Sequence, residues 1–84
     1  MKALIYVTLK PGVLDPQGKA VLHALRSLGH TEAEDVRVGK FIELTLGGIG
    51  KAQAEAQVKK MCETLLANTV IESYRFDLQE AEPR

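Results

Sequence analysis

From Lys2 to Lys10 the chain is a nearly unbroken run of Ile, Val, Leu, Tyr and Thr, and Pro11-Gly12 ends it. A run with so few polar positions predicts a strand at the centre of a sheet. The period then lengthens, and Val21, Leu22, Leu25 and Leu28 recur at helical spacing. Asp15 offers a carboxylate to the free N–H groups of a helix start, and Pro16 has no N–H to leave unpaired. Gly29 suits the left-handed cap at the far end. These signals predict a helix from about Pro16 to Leu28.

After the polar connection "HTEAED" the period shortens to two. Val36, Val38, Ile42, Leu44 and Leu46 fall on one face, and Arg37, Phe41, Glu43 and Thr45 on the other. Lys40 lands on the apolar face beside Gly39, which predicts a long strand bent or broken there. "GGIG" is the next break. From Lys51 to Ala67 an apolar stripe of Ala54, Val58, Met61, Cys62, Leu65 and Leu66 predicts the second helix, capped by Asn68. "TVIESYRFDL" closes the pattern as a strand with Val70, Tyr74, Phe76 and Leu78 on one face. The tail, residues 79–84, is expected to fray.

The order is β-α-β-α-β in a single domain over residues 1–84. That order predicts an α+β fold of ferredoxin-like or split βαβ type. Its sheet would contain antiparallel strands, a long bent middle strand, and two helices on one face. The opposite face would then carry Arg37, Phe41, Glu43 and either Leu4 or Tyr6, apolar enough to be covered by another subunit.

Composition narrows the function. With 84 residues the core is marginal, and the single cysteine excludes an internal disulfide, so oligomerisation is the expected source of extra stability. Lys plus Arg equals Asp plus Glu at 11 each and the charges are interspersed, which argues against nucleic-acid binding. No apolar run reaches the length of a membrane span. No small-residue cleavage site follows the N-terminal apolar run, so that run reads as a strand of the mature protein and the protein as cytoplasmic.

Candidate chemistry is sparse. "TLGGIGKA" fails the phosphate-loop pattern at both ends, with Thr45 in place of the first glycine and Ala52 in place of the Mg²⁺-binding hydroxyl. It reads as a glycine turn into the second helix. Cys62 lies on an apolar stripe, a setting for a structural thiol rather than a nucleophile. His23 and His30 have no Cys or second His at ligand spacing, so no metal site is expected. Glu43 and Glu72 lie within strands, and nothing brings either to a second carboxylate in a cleft. Arg37, Lys40 and Arg75 would form a small basic patch if the last two strands were neighbours.

Three segments do carry a likeness. "LKPGVLDPQGKAV" (Leu9–Val21), "VRVGKFIEL" (Val36–Leu44) and "LLANTVIESYRF" (Leu65–Phe76) resemble PurS, the small subunit of phosphoribosylformylglycinamidine synthase, nearly end to end and in order. One departure is Thr69 after Asn68, where the family often has Pro; Thr retains the N–H that Pro would remove. The resemblance implies a small subunit of an enzyme that converts formylglycinamide ribonucleotide to the amidine with ATP and glutamine. It implies a homodimer or tetramer that bridges a synthetase subunit and a glutaminase subunit and helps ammonia pass between them. ATP and Mg belong, on that view, to the synthetase subunit, and this chain carries no catalytic residue or cofactor.

The rigid Leu9–Val21 connection would place Lys10, Asp15, Gln17 and Lys19 at or near a subunit interface. Lys40 and the sheet face of Arg37, Phe41 and Glu43 would contribute to contacts between subunits, that face to the homodimer. The rival reading is a small sensor domain that binds an amino acid or nucleotide at a dimer interface through "GGIGK".

Overall fold

The structure, a computed structural model, describes residues 1–80; positions 81–84, the outer part of the tail expected to fray, lie outside the described residues. Strand β1 (Lys2–Leu9) is followed by helix α1 (Pro16–Ser27), strand β2 (Lys40–Thr45), helix α2 (Lys51–Met61) and strand β3 (Glu72–Gln79). Helix α2 runs without a break into a π-helical turn, Cys62–Leu66. The sheet order is β2-β1-β3 and both pairings are antiparallel. The β-α-β-α-β arrangement and the central first strand are as expected. Gln79 belongs to β3, paired with Lys2, and not to the tail.

Register separates the two faces. Leu44-Ala3-Leu78 and Ile42-Ile5-Phe76 form rows on the inner face. Ala3, Ile5 and Val7 are fully buried there under Val58 and Cys62, with Ala67 closing the cluster. The outer face carries Phe41-Tyr6-Arg75 and Glu43-Leu4-Asp77, so both Leu4 and Tyr6 lie on it.

Four expectations need correction. First, α1 does not join α2 on the sheet. It adds no residue to the core, Gly18 is its only buried position, and Val21 and Leu28 are 42% and 75% exposed. The reason is width: three strands at about 4.8 Å spacing span about 10 Å, the diameter of one helix with its side chains. Helix α2 fills that space.

Second, the middle strand is not long. β2 starts at Lys40, and Val36–Gly39 leave the sheet at the anticipated glycine. A Cβ on Gly39 would collide with the Val7 carbonyl, so this crossing of backbones requires glycine. Third, Leu65 is not on the buried stripe but 82% exposed. The wider π-helical turn delays the helical phase, and Leu66 takes the half-buried position. Fourth, Val70 precedes β3 instead of belonging to it, and is 80% exposed. Asn68 holds it in a turn, accepting from Val70 N–H at its side chain (3.1 Å) and from Ile71 and Glu72 N–H at its carbonyl (3.0 and 2.7 Å).

The resulting molecule is thin and long, 49 × 34 × 14 Å, with a radius of gyration of 16.5 Å. A compact chain of this length would have about 12 Å. Helix α1 and the chain returning from it account for the excess as an arm with no cover of its own.

Candidate functional site

The three segments singled out in the sequence meet at one end of the sheet. Pro11 and Gly12 form a type II turn, with Gly12 at φ 85° and Val13 N–H donating to the Lys10 carbonyl (3.1 Å). That turn delivers Lys10 to the last segment. Its N–H donates to the Ile71 carbonyl (2.8 Å), and its ammonium to the Thr69 carbonyl (2.6 Å).

The middle segment is tied in by Arg37. Its guanidinium donates to the carbonyls of Val13 (3.1 Å), Leu9 (3.3 Å) and Lys10 (3.1 Å), a fork that holds the Pro-Gly turn from outside. Lys40 reaches the Leu66 carbonyl (3.4 Å) and the Glu72 carboxylate (3.7 Å). The other oxygen of Glu72 accepts from Asn68 N–H (2.6 Å). Lys10 and Lys40 thus donate to carbonyls at and just beyond the end of the π-helical turn, where backbone acceptors lack helical partners.

Asp15 is the hub. One carboxylate oxygen caps α1 by accepting from Gly18 N–H (2.9 Å), and the other accepts from Val38 N–H (2.8 Å) across the junction. Those two N–H groups, the Val38 bond first, hold its carboxyl below the ordinary range. Burial opposes them and the nearby Arg37 charge assists. Gly18 is required by proximity: a Cβ there would collide with the Val36 carbonyl and lie 2.7 Å from an Asp15 oxygen. A glycine inside a helix pattern is the signal that marks such a site in the sequence.

Of the residues anticipated at interfaces, Lys10, Asp15, Arg37 and Lys40 come together here, with Asp15 turned inward at 5% exposure. Gln17 and Lys19 lie exposed on the first turn of α1. Phe41 and Glu43 lie on the outer sheet face, away from Arg37, whose side chain is spent on the turn. There the Phe41 and Tyr6 rings stand 5.1 Å apart, the Arg75 guanidinium lies 3.9 Å over Tyr6, and Lys2 pairs with Glu43 (3.2 Å). Phe41 is 54% exposed. Thr69 and Glu72 enter the junction without having been anticipated, because the bonds to Thr69 and Asn68 use backbone atoms that carry no side-chain signature.

The remaining candidates are structural. Gly50 caps α2 and Gly48 takes φ 74°, the expected glycine turn. Cys62 is fully buried, and burial, then the neighbouring Glu63, pushes its thiol up. Tyr74 donates to Glu63 (2.9 Å) and its phenol is likewise held up, by burial first. Among the described residues no three His, Cys, Asp or Glu side chains gather where they could hold a metal ion. No helix among them is long and apolar enough to cross a membrane.

An antiparallel three-stranded sheet whose outer face no layer covers among the described residues, with an arm pinned to it by a polar junction, is the fold that the comparisons match. The family model for PurS, phosphoribosylformylglycinamidine (FGAM) synthase, matches residues 2–80. The PurS subunit of Bacillus subtilis is 53% identical over 79 residues, 94% of this chain and 93% of that protein. The PurS crystal structure from Methanocaldococcus jannaschii superposes with a TM-score of 0.86 at 33% identity, covering 96% of this chain and 98% of that one. A chain of the PurLQS structure from Thermotoga maritima superposes with a TM-score of 0.82 at 36% identity, covering 90% and 93%. The chain belongs to the PurS family: it is the small subunit of phosphoribosylformylglycinamidine synthase, an enzyme of purine biosynthesis.

Proposed function

We propose that this chain is a cytoplasmic adaptor that bridges the synthetase and glutaminase subunits of the synthase and assists ammonia transfer between them, without a catalytic group of its own. In this assembly glutamine supplies ammonia, and ATP with Mg on the synthetase subunit drives amidine formation. The observation that carries the reading is the shape: a molecule only 14 Å deep, with helix α1 outside its core. An isolated helix of 12 residues is marginal in water, so an uncovered α1 gains its stability from another chain. The T. maritima neighbour, a structure of PurLQS, supports assembly with larger subunits.

The same features support a homodimer. The outer face offers Phe41 and Tyr6 between two opposite-charge pairs, Lys2–Glu43 and Arg75–Asp77. A face with both signs balanced is suited to a second copy of itself. A groove beside this face, lined by Tyr6, Thr8, Ser73, Tyr74 and Arg75, holds about 150 Å³, below the roughly 300–1,000 Å³ of ordinary small-molecule sites.

The test is amidine formation by the synthetase and glutaminase subunits with and without this chain, using glutamine or free ammonia. Activity that requires the chain with glutamine and far less with ammonia is the expected result. Full glutamine-dependent activity in its absence would overturn the adaptor reading.

A further inference from the structure

One edge of the sheet is a complete strand without a neighbour among the described residues. The order β2-β1-β3 leaves one side of β3 unpaired, and its register with β1 runs without a bulge from Glu72 to Gln79. The backbone N–H and C=O groups on that side form a regular row. Folded proteins ordinarily blunt such an edge by brevity, proline, a bulge or charge. Strand β3 has eight residues, no proline and no bulge. The opposite edge, β2, has six residues, starts at Lys40 and leaves the sheet at the Gly39 crossing. Only charge could guard β3, through Arg75 and Asp77 on the outer face, and their order makes them an attraction for one particular partner.

That partner is β3 of a second copy. Opposite residues of an antiparallel pair share a face, so two copies with their helices on the same side meet about a two-fold axis through one residue position. Two positions give the longest overlap. With Arg75 on the axis, the two guanidinium groups face each other. With Phe76 on the axis, Arg75 faces Asp77 of the second copy, and Asp77 faces its Arg75. Tyr74 then faces Leu78 and Ser73 faces Gln79, so Ser73–Gln79 is paired throughout. Glu72 would face Glu80, but the Glu72 carboxylate is held by Lys40 (3.7 Å) and by Asn68 N–H (2.6 Å). Arg75 and Asp77 lie 3.6 Å apart within one chain with 69% and 59% of their side chains exposed, so both are accessible to a facing strand.

We propose that two copies of this chain join antiparallel along β3, with Phe76 at the two-fold axis, into one continuous sheet. The inner face fits the same join. Tyr74, Phe76 and Leu78 are only half-buried, packed beside the core that Val58 and Cys62 make over β1. In the joined sheet the two β1 strands stand three strand spacings, about 14 Å, apart. Two α2 helices, each about 10 Å across with side chains, lie side by side at that distance and cover both Phe76 rings. The join is separate from the outer-face contact and does not depend on the adaptor reading.

The test uses the full chain by itself. Hydrogen exchange of the wild type should find the β3 amides that point away from β1 protected, while the outward amides of β2 exchange freely; free exchange at both edges would overturn the join. Arg75→Asp sets like charges opposite each other and should weaken self-association in sedimentation by about tenfold. Adding Asp77→Arg to the same chain reverses both pairs and should restore it, and a double variant no tighter than the single one would overturn the register. Thiol cross-linking reads the register directly. A mixture of the Arg75→Cys and Asp77→Cys chains should form a disulfide dimer in oxidised glutathione several times faster than either chain alone, with the fully buried Cys62 taking no part. Equal rates in the mixture and in the separate chains would show that Phe76 is not at the axis.

Discussion

Gly18→Ala adds one carbon atom at the most crowded point of the junction. The new Cβ would collide with the Val36 carbonyl and stand 2.7 Å from an Asp15 carboxylate oxygen. Cβ has no rotamer to escape into, so backbone must move: either α1 tilts away or residues 36–38 withdraw. Either shift stretches the Asp15 bonds to Gly18 and Val38. Overpacking of this kind costs about 1–3 kcal/mol. In a domain of this size each kcal/mol lowers Tm by about 4–8 °C, so a fall of about 5–20 °C is expected. Gly47→Ala is the control, since nothing lies within 4 Å of its Cβ and its φ is not left-handed. It should leave stability unchanged or raise it by less than about 1 kcal/mol. Hydrogen exchange locates the damage. The Val38 and Gly18 amides should lose protection in the Gly18 variant, while those of β1 at the sheet centre keep most of theirs. Equal Tm values for the two variants, with Val38 protection intact, would refute the close approach of α1 to residues 36–38.

Further outcomes follow from the same geometry. Phe41→Glu places a charge between Tyr6 and the solvent on the outer face, and sedimentation of the isolated chain should shift towards monomer; an unchanged mass would remove that face from the dimer. Lys10→Ala with Lys19→Ala should weaken assembly with the larger subunits while far-UV circular dichroism stays native, and undiminished assembly would clear both lysines of an interface role. The Asp15 carboxyl has a lower pKa in the folded chain than the 3.8 of a free side chain. The unfolded chain therefore binds more protons as pH falls through that value, and the stability Asp15 supplies is complete above it and lost below it. Asp15→Asn should be less stable at neutral pH and lose less on acidification; parallel acid curves for the two proteins would count against the role of Asp15.

How much of this was legible depended on whether the signal was local. The Pro-Gly turn, the Asp15 cap, the glycine after α1 and the central first strand are consequences of near neighbours in the chain, and each appears where its residues indicate. The antiparallel alternation of β3 and the open outer face are legible for the same reason. The likeness of Leu9–Val21, Val36–Leu44 and Leu65–Phe76 to PurS identified the family, but not that these segments converge. Their convergence is built largely from backbone atoms: Lys10 on the Thr69 carbonyl, Arg37 on three carbonyls, Lys40 on the Leu66 carbonyl. Carbonyls are present at every residue, so no pattern of side chains reveals which ones a cation will find.

By itself, then, the sequence determined the elements, their order, the caps and the family. Tertiary structure decided where α1 goes and which leucine faces water. Helical spacing shows that Val21, Leu25 and Leu28 share a face but not what that face meets, and a sheet only three strands wide has room for α2 alone. Likewise, a single π-helical turn rotates Leu65 out and Leu66 in without any change of composition, because exposure there depends on cumulative helical phase against a fixed sheet.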